Sequence, residues 1–266
     1  MSDVFDELFS LVTRRRLLHD PRATGAGVSV CVIDSGIERS VLEAKHGAAL
    51  QRIDGAIFAG QRAEPLPYEG HQSTPHGTTV ADIILTQAPG AQLYSADVFG
   101  PSGTCEVETV IKALRWAYDV WNCKIVNLSL GVTEQQLQQL PKRNQLLRVI
   151  EEGYFKDVLI VAAAHNDHPF TRSYPAMFAP PLLSVDKQLF DDPMAFAYLQ
   201  NEQIEFQAHS RGYLGPFALE PATSWAAPHL TGIAARLLSL RPRLKPFEVK
   251  TLLYWMCISN QNQAPG

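Results

Sequence analysis

The stretch GVSVCVI (Gly27–Ile33), followed by Asp34-Ser35-Gly36, sets the fold class of this chain. It is a short apolar run rich in β-branched residues and ended by a polar turn. Such a run predicts a buried strand with Asp34 at its carboxyl end. Runs of the same form recur at residues 92–98, 124–130, 158–164 and 182–185.

Helix-like patterns separate these runs, at residues 78–85, 106–121, 134–152 and 223–240. Strands that alternate with helices predict parallel β-α-β units, and therefore an α/β fold with a mostly parallel central sheet and helices on both faces. A chain of 266 residues fits one domain. We expect residues 1–26 to form a helical extension and residues 241–266 a final helix and tail. Functional side chains belong at the carboxyl ends of the strands and at helix N-termini.

Composition excludes several classes of partner. The net charge of −4 comes from 23 basic and 27 acidic residues mixed along the chain, so no basic stripe is available for nucleic acid. No stretch approaches membrane-spanning length, and the N-terminus lacks the apolar core of a secretory signal. The four cysteines are widely spaced and match no metal-ligand pattern, which predicts reduced thiols in a cytoplasmic protein without metal or cofactor. They are Cys31, Cys105, Cys123 and Cys257.

Ser224 lies in the run PATSWAAPH (residues 221–229), and the chain also offers what a nucleophilic serine needs. A serine hydroxyl requires an imidazole to take its proton and a carboxylate to orient that imidazole. Asp34 ends a predicted strand, and His76 opens a predicted helix. Pro228 is tolerated only near the start of a helix, so the last long helix begins close to Ser224, where backbone N–H groups can face a developing oxyanion. Singly, these residues are more typical of caps and turns; together they indicate a hydrolytic site.

Three segments carry a family resemblance: VCVIDSG (30–36), HGTTVA (76–81) and TSWAAPH (223–229). They resemble the signatures of the subtilisin-like serine proteases, the subtilases. Similarity continues at residues 94–99, 126–131, 161–166 and 174–175. The resemblance implies a three-layer subtilisin-like fold and a serine endopeptidase that works through an acyl-enzyme.

The resemblance also implies roles for individual residues. Asp34 would orient His76, which would serve as general base and acid for the nucleophile Ser224. Asn166 would donate its side-chain amide to the oxyanion, together with the backbone N–H of Ser224. The substrate would pair as an added strand between residues 103–105 and residues 129–131. The S1 pocket, which holds the side chain before the cleaved bond, would have residues 130–131 and 163–164 as its walls and Ser173 as its floor. These implied substrate residues are Gly103, Thr104, Cys105, Ser129, Leu130, Gly131, Ala163, Ala164 and Ser173.

Five residues depart from the family pattern. Thr79 replaces a histidine, and Asp82, His165 and Ala222 replace glycines, while Trp225 replaces the usual methionine after the nucleophile. None of these changes removes a catalytic group, but His165 and Trp225 add bulk beside the oxyanion asparagine and the serine. The loop at residues 86–91 has no clustered carboxylates, so the calcium site that many relatives have there is expected to be absent.

These features favour an intracellular processing protease of narrow specificity, such as one that removes the leader of a peptide precursor. Few residues precede Asp34, so we expect no folding pro-domain, and an inhibitor or an activating partner would then restrain the enzyme. Two alternatives stay open. One is a pseudoprotease that binds peptides, with His165 and Trp225 obstructing the site. The other is a peptide macrocyclase, which would need water kept from the acyl-enzyme.

Overall fold

The computed structural model describes residues 4–47, 50–58, 60, 64–100, 103–138, 140–200 and 203–261. Its α-helices are α1 (Val4–Leu11), α2 (Arg14–Leu17), α3 (Arg39–His46), α4 (Pro75–Gln87), α5 (Val107–Asp119), α6 (Leu140–Phe155), α7 (Thr223–Leu240) and α8 (Pro246–Gln261). Its strands are β1 (Ser29–Asp34), β2 (Asp54–Ile57), β3 (Leu66–Pro67), β4 (Gln92–Asp97), β5 (Ile125–Leu128), β6 (Val132–Thr133), β7 (Leu159–Ala163), β8 (Ser173–Tyr174), β9 (Leu183–Gln188), β10 (Phe196–Tyr198) and β11 (Phe206–His209).

Nine of these strands form one sheet in the order β10-β11-β9-β7-β5-β1-β4-β2-β3. The pairings are parallel except at the two edges, where β2–β3 and β10–β11 are antiparallel. Strand β1 lies between β4 and β5, so its carboxyl end opens near the middle of the sheet. Side chains placed there are surrounded by loops from both directions, which is where α/β folds bind ligands.

The alternation of side chains along β1 explains the three layers. Val30 and Val32 point into one apolar core, which α4 and α7 cover, while Cys31 and Ile33 point into a second core beneath α5 and α6. All four side chains are buried. Because both faces of the strand are covered, a continuous apolar run is required rather than an alternating one. The predicted α/β fold with a mostly parallel sheet and helices on both faces is confirmed.

Several predicted boundaries were wrong. The helix predicted over 134–152 begins at Leu140, because Val132–Thr133 pairs with β8 and the hydroxyl of Thr133 bonds the side chain of Gln136 in a turn. The helix predicted to begin at Thr78 begins at Pro75, a residue favoured in the first turn because its ring fixes a helical φ. His76 therefore lies inside that first turn. Helix α3 and the edge strands were not predicted.

The two ends of the chain carry helices α1, α2 and α8, in the ranges where an extension and a final helix were expected. Residues 1–3 and 262–266 of those ranges lie outside the described residues. Across the described part of the chain, none of the helices combines the length and the apolar character needed to cross a bilayer.

His229 is fully buried in α7 and is held as a neutral ring. Its Nδ1–H donates to the carbonyl oxygen of Trp225 at 2.8 Å, and its Nε2 accepts from the hydroxyl of Tyr213 at 2.8 Å. Burial lowers the pKa of His229 to about 3, against a smaller raising effect of the bond to Trp225. Burial therefore keeps the ring neutral, with its proton on Nδ1 and with Nε2 as an acceptor.

Acid should destabilise the protein through His229. Between pH 6.5 and pH 3 the unfolded chain binds a proton at this residue and the native chain does not, so stability present above pH 6.5 is lost as the pH falls. We expect His229→Gln to reduce the loss of unfolding free energy between pH 6 and pH 4 by about 2 kcal/mol, as one proton contributes about 1.4 kcal/mol per pH unit. Urea unfolding across this range measures the effect. Equal pH slopes in both proteins would refute it.

Candidate active site

Asp34 and His76 form a hydrogen-bonded pair at the carboxyl end of β1. His76 Nδ1 lies 2.9 Å from Oδ1 and 3.0 Å from Oδ2 of Asp34, whose carboxylate is 1% exposed. The backbone N–H of Ser35 donates to the same carboxylate at 2.7 Å. The carboxylate is thus fixed before it meets the imidazole, and it can orient the ring with Nδ1 protonated.

Gly77 allows the helix bearing His76 to approach β1. A Cβ at position 77 would lie 2.2 Å from the carbonyl oxygen of Gly36 and 3.2 Å from Asp34 Oδ1. In addition, the N–H of Gly77 donates to the hydroxyl of Ser35 at 3.1 Å. The His-Gly pair of the sequence is therefore explained by close packing, since any side chain at 77 would push the imidazole away from the carboxylate.

Two opposing effects act on the pKa of His76. Burial lowers it, while the charge of Asp34 and the hydrogen bond to it raise it, and the balance lies above the ordinary value. The ring remains reachable, with 31% of the side chain exposed. An imidazole with one nitrogen bonded to a carboxylate and the other open to a cleft is arranged to accept a proton and return it.

Ser224 lies in the first turn of α7, beside Ser129 at the carboxyl end of β5. Its hydroxyl donates to the carbonyl oxygen of Ser129 at 3.3 Å, while the hydroxyl of Ser129 donates to the carbonyl oxygen of Ser224 at 2.9 Å. The side chain is half-buried. The predicted helix start at Thr223 is thus confirmed, and it places the backbone N–H of Ser224 among the free donors of a helix N-terminus.

Asn166 is joined to the same helix turn through Thr223. Its Oδ1 accepts from the backbone N–H of Thr223 at 2.9 Å and from the hydroxyl at 3.1 Å. These two donors fix which end of the amide is oxygen, so Nδ2 is the end left to donate to another group. Side chains from the end of β1, from α4, from the loop after β7 and from α7 therefore lie in one region of the structure.

Residues that sequence reasoning missed hold the loop of Asn166 against β9. Lys187 Nζ donates to the carbonyl oxygen of Asn166 at 2.6 Å, and His168 Nδ1 lies 3.0 Å from Asp186 Oδ2. The N–H of Ala164 donates to Val185 at 2.8 Å. No local sequence signal reveals these contacts, because they depend on the register between β7 and β9.

A cleft of about 390 Å³ runs beside the Asp34–His76 pair. Gly103 lies on one side of it and the segment 129–131 on the other, in keeping with a strand-shaped ligand between them. Thr104 is exposed and Cys105 is half-buried on the first side. The lining residues are Asp34, Ser35, Thr74, His76, Phe99, Gly103, Ser129, Leu130 and Gly131.

The residues predicted for S1 also come together. Strand β5 pairs with β7 with Leu128 opposite Ala162, which brings Ala163 and Ala164 beside the segment after β5. Ser173 is buried against Gly131, because a Cβ at Gly131 would lie 3.3 Å from Ser173 Oγ. Among the described residues Ser173 Oγ has no hydrogen-bond partner. The floor of this region is therefore closed and carries a hydroxyl.

The residues that depart from the family pattern pack away from the cleft. Trp225 is 3% exposed and lies between the rings of His76 and Phe217, at centroid distances of 4.9 and 5.0 Å. His165 turns back on its own loop, where its Nδ1 accepts the N–H of Asp167 at 3.1 Å. Asp82 is fully buried with Lys45 at 2.7 Å and His46 at 2.8 Å, an ion cluster that joins α3 to α4.

Cys105 does not have the character of a reactive thiol. Burial raises the pKa of its thiol to about 12, with smaller raising effects from Asp34, Asp97 and Glu106. A thiol that keeps its proton is a weak nucleophile. As for metal ions, no group of three or more His, Cys, Asp or Glu side chains is placed to hold one within the ranges that the structure covers.

Comparison with solved structures supports the fold. The chain resembles sphericase with a TM-score of 0.67 at 22% identity, covering 89% of this chain and 86% of that one. It also resembles a cold-adapted subtilisin-like serine proteinase with a TM-score of 0.64 at 21% identity, covering 86% and 82% of the two chains. At such identities the likeness concerns the fold.

Comparison of sequences supports the family. The chain is 28% identical to subtilisin NAT of Bacillus subtilis subsp. natto, over 89% of this chain but 62% of that protein's length. It is also 28% identical to subtilisin Savinase of Lederbergia lenta, over 88% and 85% of the two chains. The model of the subtilase family matches residues 25–193, which include Asp34, His76 and Asn166, while the fold itself adds Ser224. This chain therefore belongs to the subtilase family.

Proposed function

We propose that the chain is a serine endopeptidase that hydrolyses peptide bonds through an acyl-enzyme. The observation that carries the proposal is the hydrogen-bonded pair of Asp34 and His76 next to a helix turn that bears Ser224 and is tied to Asn166. These groups supply an orienting carboxylate, a base, a nucleophile and an oxyanion donor.

In this proposal the substrate itself frees the nucleophile. The carbonyl oxygen of Ser129 accepts the hydroxyl of Ser224 in the absence of substrate, and it is also the acceptor that a peptide strand laid along residues 129–131 would use. Once a substrate N–H takes that carbonyl, rotation of the Ser224 side chain delivers its hydroxyl to Nε2 of His76.

The chemical steps then follow from the geometry. His76 takes the proton as Ser224 Oγ attacks the carbonyl carbon, and Asp34 stabilises the imidazolium that forms. The Nδ2 of Asn166 and the N–H of Ser224 donate to the oxyanion. His76 passes the proton to the leaving amine, and a water molecule, activated by the same imidazole, cleaves the ester.

We further propose that the substrates are few, as for a cytoplasmic protease that processes a peptide precursor and is restrained by an inhibitor or an activating partner. The position of Ser173 supports the narrow range: it is buried against Gly131 and would limit how deep a P1 side chain can reach. The role of a mere peptide-binding module is less well supported, since Trp225 and His165 pack away from the cleft.

A fluorophosphonate probe tests the proposal, because only an activated serine reacts with it. We expect one adduct per chain, mapped to Ser224 by tandem mass spectrometry, together with internal cleavage of an unfolded protein substrate. Linear products gain the mass of one water for each bond cut, whereas a macrocyclase would release products without it. A folded protein that neither reacts with the probe nor cleaves any peptide would contradict the proposal.

A further inference from the structure

A proline leaves the carbonyl of Ser224 without its helical partner. In an α-helix the carbonyl of residue 224 accepts the N–H of residue 228, and Pro228 has none. The hydroxyl of Ser129 takes the place of that donor at 2.9 Å. The backbone at the candidate nucleophile is thus held by a side chain from the sheet rather than by its own helix.

Two fully buried polar residues fix the direction of the Ser129 hydroxyl. Asn127 Nδ2 donates to Ser129 Oγ at 3.0 Å, and the hydroxyl of Thr231 donates to Asn127 Oδ1 at 2.9 Å. We call this series of hydrogen bonds, from Thr231 through Asn127 and Ser129 to Ser224, the relay. Every group in it donates to a partner that can accept. Because Ser129 uses its only hydrogen on Ser224, it must accept from an N–H, so the amide of Asn127 presents nitrogen to Ser129 and oxygen to Thr231.

The relay joins two elements of the fold at the site. Asn127 lies in β5, and Thr231 lies in α7 seven residues, about two turns, after Ser224. Neither residue lines the cleft. Apolar side chains at these positions would suffice to pack the helix on the sheet. Buried hydroxyl and amide groups, in contrast, need partners in one arrangement, because a group left unpaired has lost its hydrogen bonds to water without replacement.

We propose that Asn127 and Thr231 are positioning residues of the reaction, a proposal that rests on the proposed function. Acting through Ser129, they fix the position of the first turn of α7 relative to the sheet. That position determines how far the hydroxyl and the N–H of Ser224 lie from His76 and Asn166. The turn is held from its other side by Thr223 and Asn166. A displacement of about 1 Å at a reacting group can cost about 100-fold in rate.

Thr231→Val tests the proposal, with Thr231→Ser as the matched control. Valine keeps the shape and removes the hydroxyl, whereas serine keeps the hydroxyl and loses a methyl group. We expect Thr231→Val to lower kcat and the rate of fluorophosphonate labelling about 10-fold or more with little change in KM, and Thr231→Ser to retain most of both.

A second variant tests the proposal in case Thr231→Val does not fold. Asn127→Leu keeps the branched shape of the side chain but can neither donate to Ser129 nor accept from Thr231, so the same fall in kcat is expected. Equal losses in Thr231→Val and Thr231→Ser, or unchanged kcat in both Thr231→Val and Asn127→Leu, would overturn the proposal. A wild-type protein without labelling or cleavage would instead refute the proposed function, which keeps the two failures apart.

Discussion

Asp34→Asn should lower kcat/KM for a peptide substrate by roughly 10⁴-fold, the scale known for this change in a trypsin-type protease and for removal of the aspartate in subtilisin. The asparagine would occupy the same space, yet its amide can present N–H to His76 Nδ1 and so favour the tautomer with the proton on Nε2. The charge and hydrogen bond that raise the pKa of His76 would also be lost. Residual activity should therefore decline at a lower pH than in the wild type, and pH profiles of kcat/KM measure both effects.

Asp82→Asn is the matched control for Asp34→Asn. Asp82 is also a fully buried carboxylate with a histidine partner, His46 Nε2 at 2.8 Å, and it lies on the same helix as His76. It does not contact the site. We expect this variant to melt at a lower temperature and to keep its kcat/KM at temperatures where it is folded. Comparable losses of activity in the two variants would show that general destabilisation, not orientation of His76, explains the effect.

Asn166→Ala should lower kcat by about 10²–10³-fold with a small change in KM. The donor it removes acts mainly when negative charge develops on the substrate oxygen, and the magnitude is the one known from subtilisin rather than one obtained from this geometry. Single-turnover acylation by an activated ester measures the step directly. Unchanged kcat would exclude Asn166 from the oxyanion site.

Thr223→Val separates the two bonds that Asn166 makes. This variant removes the hydroxyl that donates to Asn166 Oδ1 at 3.1 Å but keeps the backbone N–H that donates at 2.9 Å. Asn166 then stays in place with one hydrogen bond instead of two. We expect a loss of kcat well below that of Asn166→Ala, because the oxyanion donor itself survives. A loss as large as that of Asn166→Ala would indicate that anchoring, rather than donation, is the main contribution of the asparagine.

The buried parallel strands could be predicted because each has a continuous apolar run, which is visible in the sequence alone. Strands β1, β5 and β7 are covered on both faces, so each appears as a continuous apolar run. Strand β2, which lies between β4 and the edge strand β3, has the sequence DGAI and one buried residue, which is too little for a pattern. In α3 only Leu42 is buried, so helical periodicity is weak.

The error at residues 134–138 has a different cause. The Gln-rich segment after Thr133 consists of good helix formers, so local propensity predicts a helix there. Pairing of β6 with β8 and the side-chain bond between Thr133 and Gln136 hold it as a turn instead. Tertiary contacts outweigh propensities that amount to a fraction of a kilocalorie per residue.

In the candidate site, too, some residues could be predicted from the sequence and others could not. Asp34, His76, Ser224 and Asn166 were predictable because each stands in a motif at the end of a strand or the start of a helix. Supporting residues such as Lys187 and Thr231 stand in no motif, and they reach the site through strand register and helix phase. Such contacts become visible only once the chain is folded.

The indole ring of Trp225 lies next to the imidazole that would accept the proton. The two ring centroids lie 4.9 Å apart, with 36° between the ring planes. An aromatic face carries partial negative charge and attracts a cation within about 6 Å. In the proposed mechanism the imidazole becomes positive, and an indole this close would stabilise that charge. The tryptophan that departs from the family pattern would therefore be an uncharged partner of the imidazolium, in addition to Asp34.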